Sequence, residues 1–279
     1  MLETSEISPF NHGSLEEMAT EALLASDLDA KIKITQDAAK AWYQRCLSLN
    51  SAKRTRQVER PGRPDKPVLM PPNKVPKRRL GSESGRIALI HAICHIELNA
   101  IDLALDIVAR FCREPMPRSF FDDWMMVARE EAKHFSLLRE RLKELDADYG
   151  DLPAHDGLWE AAHATGHDLT ARLALVPLVL EARGLDVTPS LIRTLQKEGD
   201  DKTAEIFEII YEDEKGHVAV GAKWFRFLCR RDNLDPDQQF RLLVRKNFRG
   251  QLKPPFNDRA RCASGITPGF YRSISSLGN

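Results

Sequence analysis

The sequence is poor in cysteine, and its cysteines form no recognised motif. Five cysteines occur in 279 residues, and none belongs to a Cys-x-x-Cys pair. They are Cys46, Cys94, Cys112, Cys229 and Cys262. An odd and scattered set argues against both a disulfide framework and a zinc ribbon. It favours reduced thiols in a cytosol-like compartment.

Excess charge, targeting signals and nucleotide motifs are also missing. The formal net charge is zero, so no global field directs the chain to nucleic acid or to a membrane. Residues 1–24 carry several glutamates and no basic-then-apolar pattern, which argues against a signal peptide. No apolar run approaches the length of a membrane span. Neither Gly-x-Gly-x-x-Gly nor a P-loop occurs, so there is no flavin or nicotinamide fingerprint. We therefore expect a cytoplasmic protein.

Helical periodicity dominates the pattern that is present, and few segments resemble strands. The predicted helices span residues 14–26, 28–49, 84–111, 119–145 and 158–183, a short stretch between Pro189 and Gly199, and residues 200–231. Ser14 and Glu17 are placed to form a capping box. Gly184 is placed to cap the helix over 158–183, and Pro177 to kink it. The pattern predicts an all-α fold.

Composition divides the chain into three parts. Residues 1–79 hold two helices and a proline-rich, basic stretch from 53 to 79, which we expect to wrap over the core; a flexible tether is the alternative. Residues 80–231 hold four long helices with a long central connection, the arrangement of a ferritin-like four-helix bundle. Residues 232–279 are basic and are expected to be irregular and to pack on the bundle.

Two Glu-x-x-His motifs dominate the functional interpretation. Glu131 and His134 follow Glu97, and a second motif follows another lone glutamate at nearly the same separation (131 − 97 = 34 and 214 − 181 = 33). Residues three apart lie on one face of a helix, so the two members of each motif can face the same ion. The predicted metal ligands are Glu97, Glu131, His134, Glu181, Glu214 and His217. A glutamate from each of two helices and Glu-x-x-His from each of two others can hold two iron or manganese ions.

The positions of these residues on apolar stripes support the metal interpretation. Glu97 lies between Ile93 and Ile101, and Glu181 follows the apolar residues 176–180. A lone buried carboxylate costs several kcal/mol or becomes protonated, and converging carboxylates also repel one another. Two divalent cations remove both problems. A single Glu-x-x-His motif is more often a solvated helical face, but the matched pair argues against that alternative.

Carboxylates with imidazoles suit iron(II) or manganese(II), with zinc as an alternative. We expect Glu97 and Glu181 to bind one ion each, and Glu131 and Glu214 to bridge the ions as the catalytic residues. The acids beside the motifs, Asp213 and Glu130, are candidates to orient the imidazoles; a surface position is the alternative for each. Tyr211 is a candidate aromatic near the site, with core packing as the favoured alternative.

Around these residues the chain resembles the ferritin-like superfamily of di-iron carboxylate proteins. More narrowly, it resembles the uncharacterised domain-of-unknown-function family 455. The resemblance is carried by the segments 95–98, 130–134, 149–155, 181–186 and 213–218, and covers roughly residues 80–231. It implies a four-helix bundle with a di-metal site, and it supplies no reaction. The first motif has Glu130 where the superfamily usually has aspartate, as Asp213 is in the second.

These observations favour an oxygen-activating di-iron, or iron–manganese, oxidoreductase that oxidises or hydroxylates a substrate. An external electron donor would be needed, because no redox-cofactor motif is present. Two alternatives stay open: a ferroxidase or iron-handling protein, and a binding protein that the metals only stabilise. The two basic segments also suggest, as a further alternative, a nucleic-acid substrate such as tRNA. That substrate is disfavoured, because no RNA-recognition signature interleaves aromatic residues with them.

Overall fold

Helices make up most of the chain in the computed structural model, which describes residues 13–52, 57–75 and 81–275. Within these ranges there is no extended strand, and only isolated bridges such as Leu69 with Ala154 occur. The α-helices are α1 (Leu15–Leu24), α2 (Leu28–Tyr43), α3 (Glu83–Arg110), α4 (Arg118–Glu144), α5 (Gly157–Ala164), α6 (Leu169–Leu175), α7 (Ala182–Lys197), α8 (Asp201–Arg231), α9 (Pro236–Asn247), α10 (Asp258–Ala263) and α11 (Pro268–Tyr271). The prediction of an all-α fold is confirmed for the described residues.

The first two helices begin where the sequence predicts. The hydroxyl of Ser14 accepts a hydrogen bond from the Glu17 amide, and the Glu17 carboxylate accepts one from the Ser14 amide. The capping box is therefore confirmed. Helix α2 ends at Tyr43, earlier than the expected residue 49. The chain turns there because Arg45 adopts a left-handed conformation with φ of 63° and binds Asp122 on α4 at 2.8 Å.

Three long helices, α3, α4 and α8, match their predicted ranges to within one residue at each end. Helix α3 also corrects one expectation, since it is long and apolar enough to cross a membrane by length and composition. However, 78% of its most apolar window is buried within the protein. That burial is typical of the central helix of a folded core, so the apolar length of α3 serves internal packing.

The predicted helix over 158–183 is wrong, because the chain forms α5, α6, a π-helical turn (Val176–Glu181) and α7 instead. Gly184 is not a cap, since α7 continues through Gly184 and Pro189 to Lys197. Pro189 has no amide proton for the carbonyl of Leu185, four residues earlier. Asn257 donates its side-chain amide to that carbonyl at 3.1 Å. A residue distant in sequence therefore allows the helix to continue past the proline.

The π-helical turn coincides with Pro177, where the sequence predicts a kink. Insertions of this type are rare and occur frequently at functional sites. Helix α8 passes close to this turn at Gly221, where an added Cβ would lie 2.4 Å from the Cβ of Pro177. The absence of a side chain at Gly221 thus allows the two helices to touch.

The proline-rich segment wraps over the core, as predicted. The amide of Gly62 donates to the carbonyl of Leu23, and Arg63 extends inward to Asp102 on α3 at 2.9 Å. Further along, Met70 donates to the carbonyl of Ala154. Residues 53–56 and 76–80 of this region lie outside the described residues. The described part is a bound strap rather than a flexible tether.

The expectation that residues 232–279 are irregular is wrong. Helix α9 begins at a cap formed by Asp235, with Pro236 in its first turn, and it buries Phe240, Leu243 and Val244. These apolar residues have helical spacing, which the basic composition of the segment obscured. Helix α9 packs on α6 and α8, and α10 packs on α7 and α8. The segment therefore packs on the central helices, as expected, but as helices.

One continuous apolar cluster extends from Leu15 to Tyr271 and includes residues from all three predicted parts. The boundaries at residues 79 and 231 stay predictions. The shared core indicates that the two terminal parts stabilise the same hydrophobic interior as the central helices.

Replacing Gly221 with alanine is expected to destabilise the protein by about 1–3 kcal/mol, because the new methyl group would overlap Pro177. Urea unfolding of the metal-free protein measures this change. The matched control is Gly216→Ala on the same helix, where an added Cβ meets no atom within 4 Å. That control should leave stability unchanged or raise it by up to about 1 kcal/mol. Equal stability of the two variants would contradict the close approach.

Candidate metal centre

The structure brings the predicted ligands from four helical segments to one buried region. Glu97 lies on α3, Glu131 and His134 on α4, Glu181 at the end of the π-helical turn, and Glu214 and His217 on α8. One ligand atom from each of Glu97, Glu131, His134 and Glu214 lies within 4.8 Å of the others. Donor atoms at this separation can share a metal ion.

Glu131 lies between the two imidazoles. Its Oε2 is 3.3 Å from Nδ1 of His134, and its Oε1 is 2.9 Å from Nδ1 of His217. Glu97 contacts His134 at 3.2 Å, and Glu214 contacts His217 at 3.4 Å. The centroids of the His134 and His217 rings lie 5.7 Å apart. Each imidazole therefore has one glutamate of its own, and Glu131 contacts both. The bridging role of Glu214 stays a prediction.

Glu181 is near this group but lacks hydrogen bonds at one oxygen. Among the described residues, its Oε2 is buried without a hydrogen-bond partner, as are Oε1 of Glu131, Oε2 of Glu214 and Nδ1 of His217. The last of these contacts Glu131 closely, but not in hydrogen-bond geometry. Orphaned buried polar atoms are rare and costly. Three carboxylate oxygens and one imidazole nitrogen in this state form a donor set that fits divalent cations.

The acids beside the two motifs bind the imidazoles, as predicted, and they do so across the helix pair. Nε2 of His134 on α4 donates to Asp213 on α8 at 3.0 Å. Nε2 of His217 on α8 donates to Glu130 on α4 at 2.9 Å. Lys133 also donates to Asp213, at 2.7 Å. This reciprocal pairing fixes both ring orientations and leaves each Nδ1 directed at the glutamates.

A sequence model of the family described as "Protein of unknown function (DUF455)" matches residues 24–272. The chain belongs to the DUF455 family. It is 46% identical over 209 residues to an uncharacterized protein of Haemophilus influenzae, a match that covers 73% of each chain. No solved structure matches the chain significantly. The expected resemblance to this family is confirmed, and the resemblance to the ferritin-like superfamily stays a prediction.

The acids of this candidate centre have perturbed pKa values. Burial, followed by the charge of Glu131, raises the pKa of Glu97 well above its usual range. Burial and the charge of Glu214 raise the pKa of Glu181 in the same way. Burial and the charge of Glu131 raise the pKa of Glu214. In the metal-free protein these three carboxyl groups therefore shift toward the neutral form.

The imidazoles shift in the direction of the charged form. Burial opposes the charge, but hydrogen bonds with Glu131 and Glu97 raise the pKa of His134 to about 11. Burial also opposes the charge of His217, and the charge of Glu131 outweighs it and raises that pKa. Burial disfavours the charge of Glu131, but His217 and His134 lower its pKa below the ordinary value. In the metal-free centre the imidazoles therefore shift toward the protonated form and pair with Glu131. Metal binding would displace these protons.

Several other residues have structural roles. Both ring nitrogens of His95 are engaged, one by the Tyr149 hydroxyl at 2.8 Å and one by the carbonyl of His155, which agrees with its exclusion from the ligands. Burial lowers the pKa of His95 to about 3. The hydroxyl of Tyr211 accepts a hydrogen bond from the side-chain amide of Asn257 in the C-terminal segment at 3.1 Å. The ring nitrogens of His95 are thus both engaged outside the candidate centre, and the role of Tyr211 near the site stays a prediction.

The sequence interpretation missed two buried aspartates. Asp102 follows Glu97, and Asp186 follows Glu181, by the same number of residues (102 − 97 = 5 and 186 − 181 = 5). Both side chains are fully buried and ion-paired. Their equal spacing from the lone glutamates was visible in the sequence and could have identified them.

A cavity of about 680 Å³ lies against the π-helical turn. Leu180, the residue before Glu181, forms part of its wall. The aromatic side chains of Trp159 on α5 and Phe248 after α9 line it as well, and charged residues including Arg60 and Arg249 are also present. Its volume is in the range of small-molecule sites.

The metal-free protein is expected to lose stability as the pH rises from about 6.5 toward 11. A histidine with a raised native pKa stabilises the fold fully below its unfolded value and loses that contribution as the pH passes its native value. His134 and His217 both act in this direction, and each contributes at most about 1.4 kcal/mol per pH unit. Urea unfolding in chelator at pH 6.5 and pH 9 measures the effect.

The control for this prediction is a surface histidine. His217→Gln should reduce the dependence on pH, because it removes one of the two titrating imidazoles. His163→Gln should leave the dependence unchanged, because the side chain of His163 is about half exposed and pairs with Glu59 at the surface. If the free energy of unfolding of the unmodified, metal-free protein did not change between pH 6.5 and pH 9, the raised pKa values of His134 and His217 would be contradicted.

Proposed function

We propose that this protein is a di-metal carboxylate oxidoreductase, which uses iron, or iron with manganese, and dioxygen to oxidise an organic substrate. In this proposal α3, α4, α8 and the run formed by α6, the π-helical turn and α7 correspond to a ferritin-like four-helix bundle. The observation that carries it is the position of Glu131 between two buried imidazoles, each with an acid on its far nitrogen.

The contacts divide the donors into two groups. His134 and Glu97 would hold one ion, and His217 and Glu181 the other; Glu131, and Glu214, which lies near both groups, would be shared. Carboxylates and imidazoles without thiolates suit iron(II) and manganese(II). When bound, such a pair of ions would supply the electrons and the open coordination positions that dioxygen reduction needs.

The contribution of the protein is to position the donors and to exclude water. Asp213 and Glu130 hold a proton at Nε2 of each ring, so Nδ1 is the atom that remains available for binding. Glu131, His134 and His217 are fully buried, whereas Glu214 retains 12% exposure and Glu181 is also partly exposed. Access for dioxygen and substrate is therefore proposed from the side of α7 and α8. An external donor would supply electrons.

The cavity beside Leu180 supports an organic substrate over iron as the sole substrate. It adjoins the turn that ends at Glu181, and its wall includes two aromatic side chains. An iron-storage function does not need an aromatic cavity of this size. The ferroxidase alternative is nevertheless separable by stoichiometry, since a ferroxidase oxidises iron(II) repeatedly.

The proposal predicts about two iron ions per chain after anaerobic loading with iron(II), followed by a visible absorption change on exposure to dioxygen. Glu131→Ala and His217→Ala should each lose bound iron, because they remove the shared carboxylate and one imidazole. The control is Glu205→Ala, an exposed glutamate on α8, which should bind iron normally. Metal analysis and absorption spectroscopy measure these outcomes.

Excess iron(II) distinguishes the two redox functions. An oxidoreductase should oxidise about two ions per chain and then stop until a reductant is added, whereas a ferroxidase should continue. A folded Glu131→Ala protein with unchanged iron content would contradict the site itself. Failure of the unmodified protein to bind iron or manganese would remove the proposed function.

A further inference from the structure

Each of the two lone glutamates is followed by a buried aspartate that binds a cation from outside the central helices. On α3, Asp102 Oδ1 accepts from Lys31 of α2 at 2.6 Å, and both side chains are fully buried. On α7, the two oxygens of Asp186 accept from Arg261 of α10 at 2.8 and 2.7 Å. The arrangement is the same in both halves, although the cations come from opposite ends of the chain.

The geometry places each aspartate behind its ligand. Five residues along an α-helix correspond to a rotation of about 140°, since each residue turns the chain by about 100°. Asp102 and Asp186 therefore face away from the metal centre when Glu97 and Glu181 face toward it. The cations hold these two helices from the outer side.

The ion pairs Lys31–Asp102 and Arg261–Asp186 are the first and second anchors. The second anchor also contacts the backbone next to Glu181. Arg261 donates to the carbonyl of Ala182, the residue that follows Glu181, at 3.4 Å. The amide of Asn257 donates to Asp186 at 2.9 Å, and Arg183 donates to the carbonyls of Lys253 and Pro255. The C-terminal segment thus binds the junction between the π-helical turn and α7 through several contacts.

Such an anchor has a physical reason. The Oε2 of Glu181 is buried and has no hydrogen-bond partner among the described residues. No hydrogen bond at that oxygen holds the side chain, so its position depends on the backbone that carries it. A buried ion pair adds little net stability, but it specifies one register of the two elements that it joins. This matters most at a π-helical turn, which is a rare and locally irregular conformation.

We propose that Arg261 and Lys31 are positioning residues, which hold Glu181 and Glu97 in place for metal binding by clamping Asp186 and Asp102 from behind. The proposal rests on the proposed function for its metal-binding consequence. It gives the two terminal extensions a role at the metal centre, although none of the proposed ligands comes from their described residues.

The test replaces both fully buried partners of an anchor, so that neither is left as an unpaired charge; Arg63 and Arg183, which also contact these aspartates, are partly exposed to solvent. The variants are Arg261→Met/Asp186→Asn and Lys31→Met/Asp102→Asn. The control is Arg141→Met/Asp200→Asn, which removes a largely buried pair between α4 and the start of α8 and keeps a capping side chain at residue 200. Circular dichroism and thermal unfolding show that the variants are folded.

Cobalt(II) titration, followed by visible absorption, is the first measurement. Each anchor variant should bind one of two cobalt ions about 10- to 100-fold more weakly, with an altered spectrum for that ion. The control pair should retain the affinity and spectrum of the unmodified protein. Arg261→Lys, which keeps the charge, should recover part of the affinity. Unchanged binding in both anchor variants, or equal loss in the control, would overturn the proposal.

Hydrogen exchange of the metal-free protein is the second measurement. Loss of the Arg261 anchor should speed exchange of the amides in residues 182–186, and the control pair should not. Unchanged exchange would overturn the anchoring role whether or not metal binds. Faster exchange in a protein that binds no cobalt would keep the anchor and reject the metal-based function instead.

Discussion

The centre of the structure is a carboxylate held between two imidazoles in an apolar interior. Burial disfavours the charge of Glu131, but His217 and His134 outweigh burial and lower its pKa. The surrounding glutamates have no such support and shift toward the neutral form. The other polar features of the interior follow from this constraint. Asp213 and Glu130 orient the two imidazoles. The helices that carry Glu97 and Glu181 are each joined to a terminal extension by a buried ion pair.

The two halves of the centre are organised alike, but their backbones differ. Helix α3 carries Glu97 in the middle of an uninterrupted α-helix. The corresponding segment in the second half changes from α6 to a π-helical turn at Pro177 and then to α7. Two of the proposed ligands, Glu181 and Glu214, are partly exposed and also belong to this half, and the cavity lies beside it. Irregular backbone, exposure and cavity therefore occur on one side of an otherwise similar site.

The terminal extensions complete this arrangement. Lys31 lies in a helix before the strap, and Arg261 lies near the end of the described chain, but both penetrate to buried aspartates on central helices. Arg63 of the strap lies beside the same aspartate as Lys31, at 2.9 Å. Asn257 binds the carbonyl that Pro189 leaves without its helical partner. Residues outside the central helices thus supply hydrogen bonds and charges that those helices lack.

The sequence by itself determined the features that depend on local spacing. Glu131 with His134, and Glu214 with His217, share a helical face because residues three apart always do, and the long helices α3, α4 and α8 follow from apolar periodicity. The tertiary structure decided what depends on distant partners. No local pattern indicates that α7 continues past Pro189. The carbonyl of Leu185, which Pro189 leaves without a helical donor, is bound by Asn257, 72 residues later in the chain. Nor could spacing show that Asp213 orients His134 rather than the histidine of its own helix, since that choice depends on how α4 and α8 pack.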